Sequence, residues 1–289
     1  MVNKISSGED RIVNTLVYVL LGAIGLCALF PMLYVFSASV TPYSEVLKNG
    51  GFVIIPTSLT WNGYKQLFQQ AAIPKSLHVS VYITVVGTLV NMVLTTLMAY
   101  PLSRKDLPGR GALLFTIIFT FIFSGGIIPT YLIVKNTGLL NTVWAMIIPN
   151  AIWSYNVLIM KSFFDQLPEE IYESAKIDGA KELRILLQIT VPLSVPVILT
   201  LSMFYAVSHW NEFFQAIMYV SSRSLYPLQV VVRDILTQSA SADVTSADMV
   251  PTLTLQMAAV VMASLPIILV YPLIQKHFTK GMMLGSVKG

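Results

Sequence analysis

Gln166-Leu-Pro-Glu-Glu-Ile-Tyr-Glu-Ser-Ala-Lys-Ile-Asp-Gly-Ala-Lys-Glu-Leu-Arg184 is a charged island between two long apolar runs, residues 139–164 before it and 191–220 after. Its internal order is informative. Pro168 suits the first turn of a short helix, and Glu169, Glu170 and Glu173 sit near that helix's positive end. Ile171, Tyr172 and Ala175 share one side, and Gly179 then lets the chain turn, because glycine tolerates a left-handed backbone best. A second short helix from Lys181 leads to Pro192. Two short helices joined at a glycine form a rigid knob on a membrane surface. Physics alone leaves two readings of it: a plug for a socket on another protein, or an ordinary amphipathic connector lying in the interface.

The flanking runs belong to a larger set. Apolar segments fall at 12–40, 77–103, 112–134, 139–164, 191–220 and 253–274. Each is long enough to cross a hydrocarbon core ~30 Å thick as a helix, which satisfies every backbone group internally. Of the 289 residues, 55% are hydrophobic and only 11% charged, whereas a soluble domain is about a quarter charged. The expectation is an all-α membrane protein with six transmembrane helices in a single domain, 1–289. Its loop 165–190 would be cytoplasmic, and 275–289 would be a cytoplasmic tail. The first run is too long for a signal-peptide core, so we read it as an uncleaved anchor. Cys27 is the lone cysteine, so no internal disulfide can form. Pro31, Gly125-Gly126, Pro129, Pro149 and Pro266 interrupt the runs and permit bends.

Lys and Arg set an orientation. With the amino terminus in the cytoplasm, the inner side collects Lys4, Arg11, Arg104, Lys105, Arg110, Lys161, Lys176, Lys181, Arg184, Lys276, Lys280 and Lys288. The outer side holds Lys48, Lys65, Lys75, Lys135, Arg223 and Arg233. Twelve against six places both termini inside. The net charge of +4 is therefore a topology signal rather than a nucleic-acid footprint.

Glu173-Ser174-Ala175, then Gly179 after three residues, Ile189 after nine more, and Val191-Pro192 after one more closely resemble the EAA motif of ABC-importer permeases. Ser174 and Val191 depart from that pattern, with Ser for Ala and Val for Leu. Asp178-Gly179-Ala180 matches the form common in sugar permeases, and the ending from Gln275 to Gly289 looks like the tail of maltose-permease-type subunits. Phe123-Ser-Gly-Gly-Ile-Ile-Pro-Thr-Tyr131 resembles the subgroup serving complex polysaccharide fragments, including alginate and pectin-derived oligosaccharides. Trp210-Asn211-Glu212 resembles that family's Trp-Asn element near the outer end of the fifth span.

The resemblance implies the type I ABC-importer permease fold in a bacterial inner membrane. It implies a second, homologous permease subunit, two ATPase subunits, an extracytoplasmic solute-binding protein and an oligosaccharide substrate. ATP and Mg would be bound by the ATPase subunits and no cofactor by this chain. Glu173, Ser174, Ala175, Asp178 and Gly179 would couple to the ATPase.

Two other classes compete with this reading. An ion-coupled secondary sugar transporter would carry intramembrane carboxylates or inverted repeats, whereas only Glu212 approaches a span interior and no repeat is evident. An enzyme would need a nucleophile, a metal set or paired acids. His78, His209 and His277 are scattered instead, no metal set is expected, and no phosphate-binding Gly-Lys-Ser/Thr loop occurs.

Ser202, Tyr205, His209 and Glu212 recur every three or four residues, so they share a helical face. With Trp210 and Asn211, and with Asn91, Asn150 and Trp153 at comparable depth, they are the candidate substrate pathway. Hydroxyl- and amide-bearing residues bond sugar hydroxyls, and aromatic rings stack on apolar sugar faces. The competing reading is hydrogen bonding between helices with no ligand. In the tail, Gly281, Gly285 and Gly289 are expected to keep the chain thin and flexible.

Overall fold

The computed structural model describes residues 8–238 and 252–286, with side chains over 12–237, 252–270 and 272. Among these residues every regular element is helical. The long helix α1 (Gly8–Ser39) is followed by two short ones, α2 (Tyr43–Lys48) and α3 (Asn62–Gln69). Next come α4 (Ala72–Ser103), α5 (Arg110–Ile122), α6 (Ile127–Asn136) and α7 (Ser154–Phe164). The charged island forms α8 (Glu169–Ile177) and α9 (Glu182–Ile185). A widened π turn, Leu186–Thr190, leads through α10 (Val191–Leu193) into α11 (Val195–Trp210). The chain then runs through α12 (Phe214–Tyr219) and α13 (Leu228–Gln238), and closes on α14 (Leu253–Ser286).

The six expected spans are not six continuous helices. Residues 112–134 divide into α5 and α6, bent by 115°, and the short turns over 143–150 meet α7 at 53°. The segment 182–193 meets α11 at 85°. Each break has a local cause. Gly126 takes φ +84° with ψ 175°, a region closed to side-chain-bearing residues. Pro149 stands in a 3-10 turn, and Pro192 and Pro196 remove helical donors around α10 and α11. At ~1.5 Å per residue the helix α11 alone is shorter than a hydrocarbon core of ~30 Å, so irregular backbone must complete that crossing. The tail, expected to be flexible, instead continues α14 as helix to Ser286; Gly289 lies outside the described residues.

Two compact units form, one from Met1–Gln70 with Asp234–Ser264, the other from Ala71–Arg233 with Leu265–Gly289. In the first, the loop after α1 is stitched by side chains. Thr254 Oγ1 donates to the Thr41 carbonyl (2.9 Å), and the Ser39 and Tyr64 hydroxyls bond at 2.8 Å. Glu45 accepts from Ser58 Oγ (2.6 Å) and Thr57 N–H (2.8 Å), which holds its carboxyl down at about 2. Along α1, Ile12, Leu16, Leu20 and Leu26 each keep over half their surface open among the described residues, as a helix facing lipid or another subunit would.

The second unit is built around α4. Its core joins Met92, Ala99 and Tyr100 of α4 to Val157, Met160 and Phe164 of α7 and to Val197, Leu201 and Tyr205 of α11. A second cluster packs Val79 and Ile83 against Met146, Ile147, Ala216 and Val220. The same unit holds a staple that the sequence does not announce. Asn141, at φ +58°, accepts from Ser221 N–H (3.1 Å) and Ser222 N–H (2.8 Å), and its amide donates to Ser222 Oγ (2.9 Å). Asn is among the few residues that enter this backbone region readily. Glycine would keep the backbone but lose the bonds, whereas alanine would lose the bonds and add a left-handed penalty of about 1–2 kcal/mol. The expected order of thermal stability in detergent is therefore wild type, then Asn141→Gly, then Asn141→Ala. Equal melting temperatures for the two variants would show that the backbone there is not held left-handed.

Candidate functional site

Within the second unit the polar residues of α4 and α11 meet face to face. Asn91 Nδ2 donates to His209 Nε2 at 3.0 Å. One turn along, the Thr95 and Tyr205 hydroxyls bond at 2.8 Å. Tyr205 also accepts the backbone N–H of Trp153 at 3.2 Å, and the two rings pack with centroids 5.0 Å apart. Trp153 lies at the break ahead of α7, where no helical carbonyl is available to its N–H. A side-chain hydroxyl thus satisfies a donor that lipid could not. The close fit has a steric condition. A Cβ on Gly87 would sit 2.6 Å from His209 Nε2, so only glycine lets the ring approach α4.

The candidate pathway residues therefore separate. Asn91, Tyr205 and His209 are enclosed, with Tyr205 at 0% exposure, and they bond helix to helix. Trp210 is also buried, and its carbonyl accepts from Gln229 Nε2 at 3.4 Å. Glu212 turns back to accept the Gln215 N–H (3.0 Å) at the start of α12. Asn211 is exposed, although its amide folds onto the Val207 carbonyl (2.8 Å) of its own helix. Asn150 is exposed and Trp153 half-buried. Sequence reading missed Thr95 and Gly87. Both stand four residues from Asn91 on one helical face, a spacing that repeats the four between Tyr205 and His209.

The charged island folds as two helices about a glycine. Pro168 precedes α8, Glu169 and Glu170 occupy its first turn, and Lys176 its last. At its end Ala180 N–H bonds the Ala175 carbonyl (2.9 Å) and Gly179 N–H bonds the Lys176 carbonyl (3.0 Å), with Gly179 at φ +76°. This is the paired closure of a Schellman cap, which requires the left-handed residue. Tyr172 and Ala175 are buried and Ile171 half-buried, whereas Glu173, Ser174, Asp178 and Gly179 are exposed. Apart from its chain neighbours, no atom of the described residues lies within 4 Å of a Cβ at Gly179. At the tip, Ile177 is 86% exposed and Leu183 is 61% exposed, apolar surface on an otherwise charged knob.

The arrangement has known relatives. Residues 89–284 match the family model of the binding-protein-dependent transport system inner membrane component. The chain belongs to that family. It is a membrane permease component of an ABC transporter, and ATP hydrolysis lies in separate subunits. Among curated proteins, the permease is 45% identical over 286 residues to the polygalacturonan/rhamnogalacturonan transport system permease protein YtcP of Bacillus subtilis, covering 97% of this chain and 100% of that one. Protein LplC of Bacillus subtilis is also 45% identical, over 93% of this chain and 92% of its own. The permease superposes on a chain of a crystallised bacterial ABC transporter involved in importing the acidic polysaccharide alginate, with a TM-score of 0.86. That chain is 30% identical, with 94% of this chain and 98% of that one covered.

The contact of Gly87 with His209 is open to a double-mutant test. Overpacking by one methyl typically costs about 1–3 kcal/mol, so Gly87→Ala is expected to lower the melting temperature of the detergent-purified permease. Removing the imidazole in a Gly87→Ala background should cost less than removing it from wild type, because the clash leaves with the ring. Additive losses in the cycle would mean that Gly87 and His209 do not touch.

Proposed function

We propose that this permease carries an acidic, polysaccharide-derived oligosaccharide inward, paired with a second permease of similar fold and driven by two ATPase subunits. A solute-binding protein delivers the sugar from outside. The substrate class rests on the alginate importer that the fold matches across nearly the whole chain and on the pectin-fragment transporter named for its relative. ATP and Mg belong to the ATPase subunits in this reading, and the chain itself needs no cofactor. Both termini, Lys105 and the α8–α9 knob face the cytoplasm. The exposed Ile177 and Leu183, together with Glu173, Ser174 and Gly179, seat on the ATPase.

The observation that carries the pathway is the broken backbone itself. Irregular chain at membrane depth is tolerated only where it is buried in protein or lines a water-filled passage. At the break over 151–153 the Trp153 N–H is tied to buried Tyr205, and the exposed Asn150 and Ile152 beside it support a passage there. Asn150, Trp153 and Asn211 are the residues that can touch sugar. Asn91, Tyr205, His209 and Trp210 lie behind them and hold the helices in place. Glu212 is directed into the start of α12, so an anionic sugar meets no free carboxylate from it.

In reconstituted complexes, Trp153→Ala should raise the half-saturating concentration for a labelled oligogalacturonide about ten-fold, the loss of one good contact of about 1.4 kcal/mol. Tyr205→Phe keeps the ring but strands the Trp153 N–H, so it should lower thermal stability while leaving half-saturation nearly unchanged. The reverse assignment of defects would put Tyr205, not Trp153, in the passage.

Orientation has its own test. In a Cys27→Ser background, a cysteine at Asn49 should react with a membrane-impermeant maleimide on intact protoplasts, and one at Lys105 only after permeabilisation. Labelling of Lys105→Cys alone on intact protoplasts would invert the topology.

A further inference from the structure

Arg104 follows directly on α4 and entered the sequence reading only as one of the inner-side charges. In the structure its guanidinium carbon lies 3.5 Å from the centre of the Tyr172 ring and 4.6 Å from that of Tyr100. One ring belongs to α8 and the other to α4. Arg104 Nε and Nη2 are buried with no hydrogen-bond partner among the described residues, so ring faces hold the cation. Tyr172 is 5% exposed, and its hydroxyl is likewise buried without a partner. The contact thus uses its ring and not its oxygen.

Tyr100 also reaches the other arm of the knob. Its hydroxyl donates to Glu182 Oε2 of α9 at 2.7 Å, and Glu182 Oε1 takes Lys176 Nζ of α8 at 3.0 Å. Those bonds, the Tyr100 hydroxyl first, hold the Glu182 carboxyl below its usual range. Among the described residues the other ion pairs here are Lys105–Glu169 (3.1 Å), exposed at both ends, and Lys176–Asp106 at 4.0 Å, beside apolar packing of Tyr172, Ala175 and Ile185 in the core shared with Tyr100 and Leu102. Exposed pairs of this kind hold little. Beyond that packing, the last turn of α4 is joined to α8 by the Arg104 stack and to α9 by the part-buried Tyr100–Glu182 bond. Two turns further along, the same α4 bonds Tyr205 and His209 through Thr95 and Asn91.

We propose that the Tyr100–Arg104–Tyr172 stack is a latch that transmits movement of α8 to α4, and through α4 to the faces of α7 and α11. Arg104 is a positioning residue in this scheme and touches neither sugar nor nucleotide. The proposal rests on the seating of α8 against the ATPase proposed above. A planar cation clasped between two rings resists sliding yet carries no directional hydrogen bond to break, which suits a joint that must move as one body.

The test uses the complete importer with both permeases, the ATPase and the binding protein, supplied with labelled oligogalacturonide. Three quantities are read: ATPase co-purification, ATP hydrolysis stimulated by loaded binding protein, and sugar imported per ATP hydrolysed. Tyr172→Phe should match wild type in all three, because only the ring is used. Arg104→Gln and Tyr172→Leu should retain the ATPase yet import about ten-fold less sugar per ATP, as a desolvated cation–ring contact is lost. Arg104→Lys, which keeps the charge but not the flat face, should fall between. Wild-type import per ATP in Arg104→Gln, or equal defects in Tyr172→Phe and Tyr172→Leu, would overturn the latch. If Arg104→Gln does not assemble, the Tyr172 pair decides alone. Ile177→Asp separates the two proposals: normal ATPase co-purification in that variant sinks the seating of α8, whereas its loss leaves the latch to be judged on the other variants.

Discussion

The hydroxyl of Tyr205 stands at the point on which the second unit depends. A membrane offers no water to a backbone donor, and each one left unpaired there costs several kcal/mol. The approach to α7 is broken, so the Trp153 N–H has no helical acceptor, and Tyr205 supplies one at 3.2 Å. The same oxygen bonds Thr95 of α4. One side chain thereby lets a crossing be interrupted and fixes three elements, α4, α7 and α11, at a single height. Gly87 and His209 repeat the device one turn away, with close approach allowed by the missing side chain and orientation set by Asn91.

This arrangement explains why several polar residues sit where a ligand was expected and yet face none. Polar side chains in a membrane bundle have two employments, contact with cargo and mutual hydrogen bonding. Asn91, Tyr205 and His209 are occupied with each other and with backbone. The exposed polar groups lie at the irregular segments, Asn150 beside the break and Asn211 just past α11. A passage lined by broken backbone is physically consistent, because irregular chain needs either protein or water around it and a sugar path provides both.

The charged knob is built by different physics. Its helices are too short to be stable alone, so shape comes from the Schellman closure at Gly179 and from Tyr172 and Ala175 buried against the end of α4. The tip keeps Ile177 and Leu183 in the open. Exposed apolar groups on a rigid, capped turn carry no benefit to the isolated chain, whereas they give a second protein something to grip. The Arg104 stack then makes the knob a continuation of α4 rather than a loop hanging from it.

Much of this was legible in the residues. Runs of apolar sequence require helices in lipid, Pro168 and Gly179 bound the first knob helix, and the spacing from Glu173 to Pro192 marks the family. These are local or compositional signals, and backbone hydrogen bonding in a membrane leaves few alternatives to them. Two breaks are visible as Gly125-Gly126 and Pro149, whereas Pro192 reads only as the start of a span; the angles are not visible, because a proline permits a bend and neighbouring helices choose it. Equally, the four-residue spacing of Tyr205 and His209 could announce a polar face without saying what it faces. Only the tertiary structure decided that Thr95, Asn91 and the Trp153 N–H complete it, and that Arg104, a plain topology charge in sequence, is clasped by two rings. The reason is the same in each case: a hydrogen bond or a ring stack between residues 52 to 118 positions apart depends on how helices cross, and no local pattern encodes that crossing.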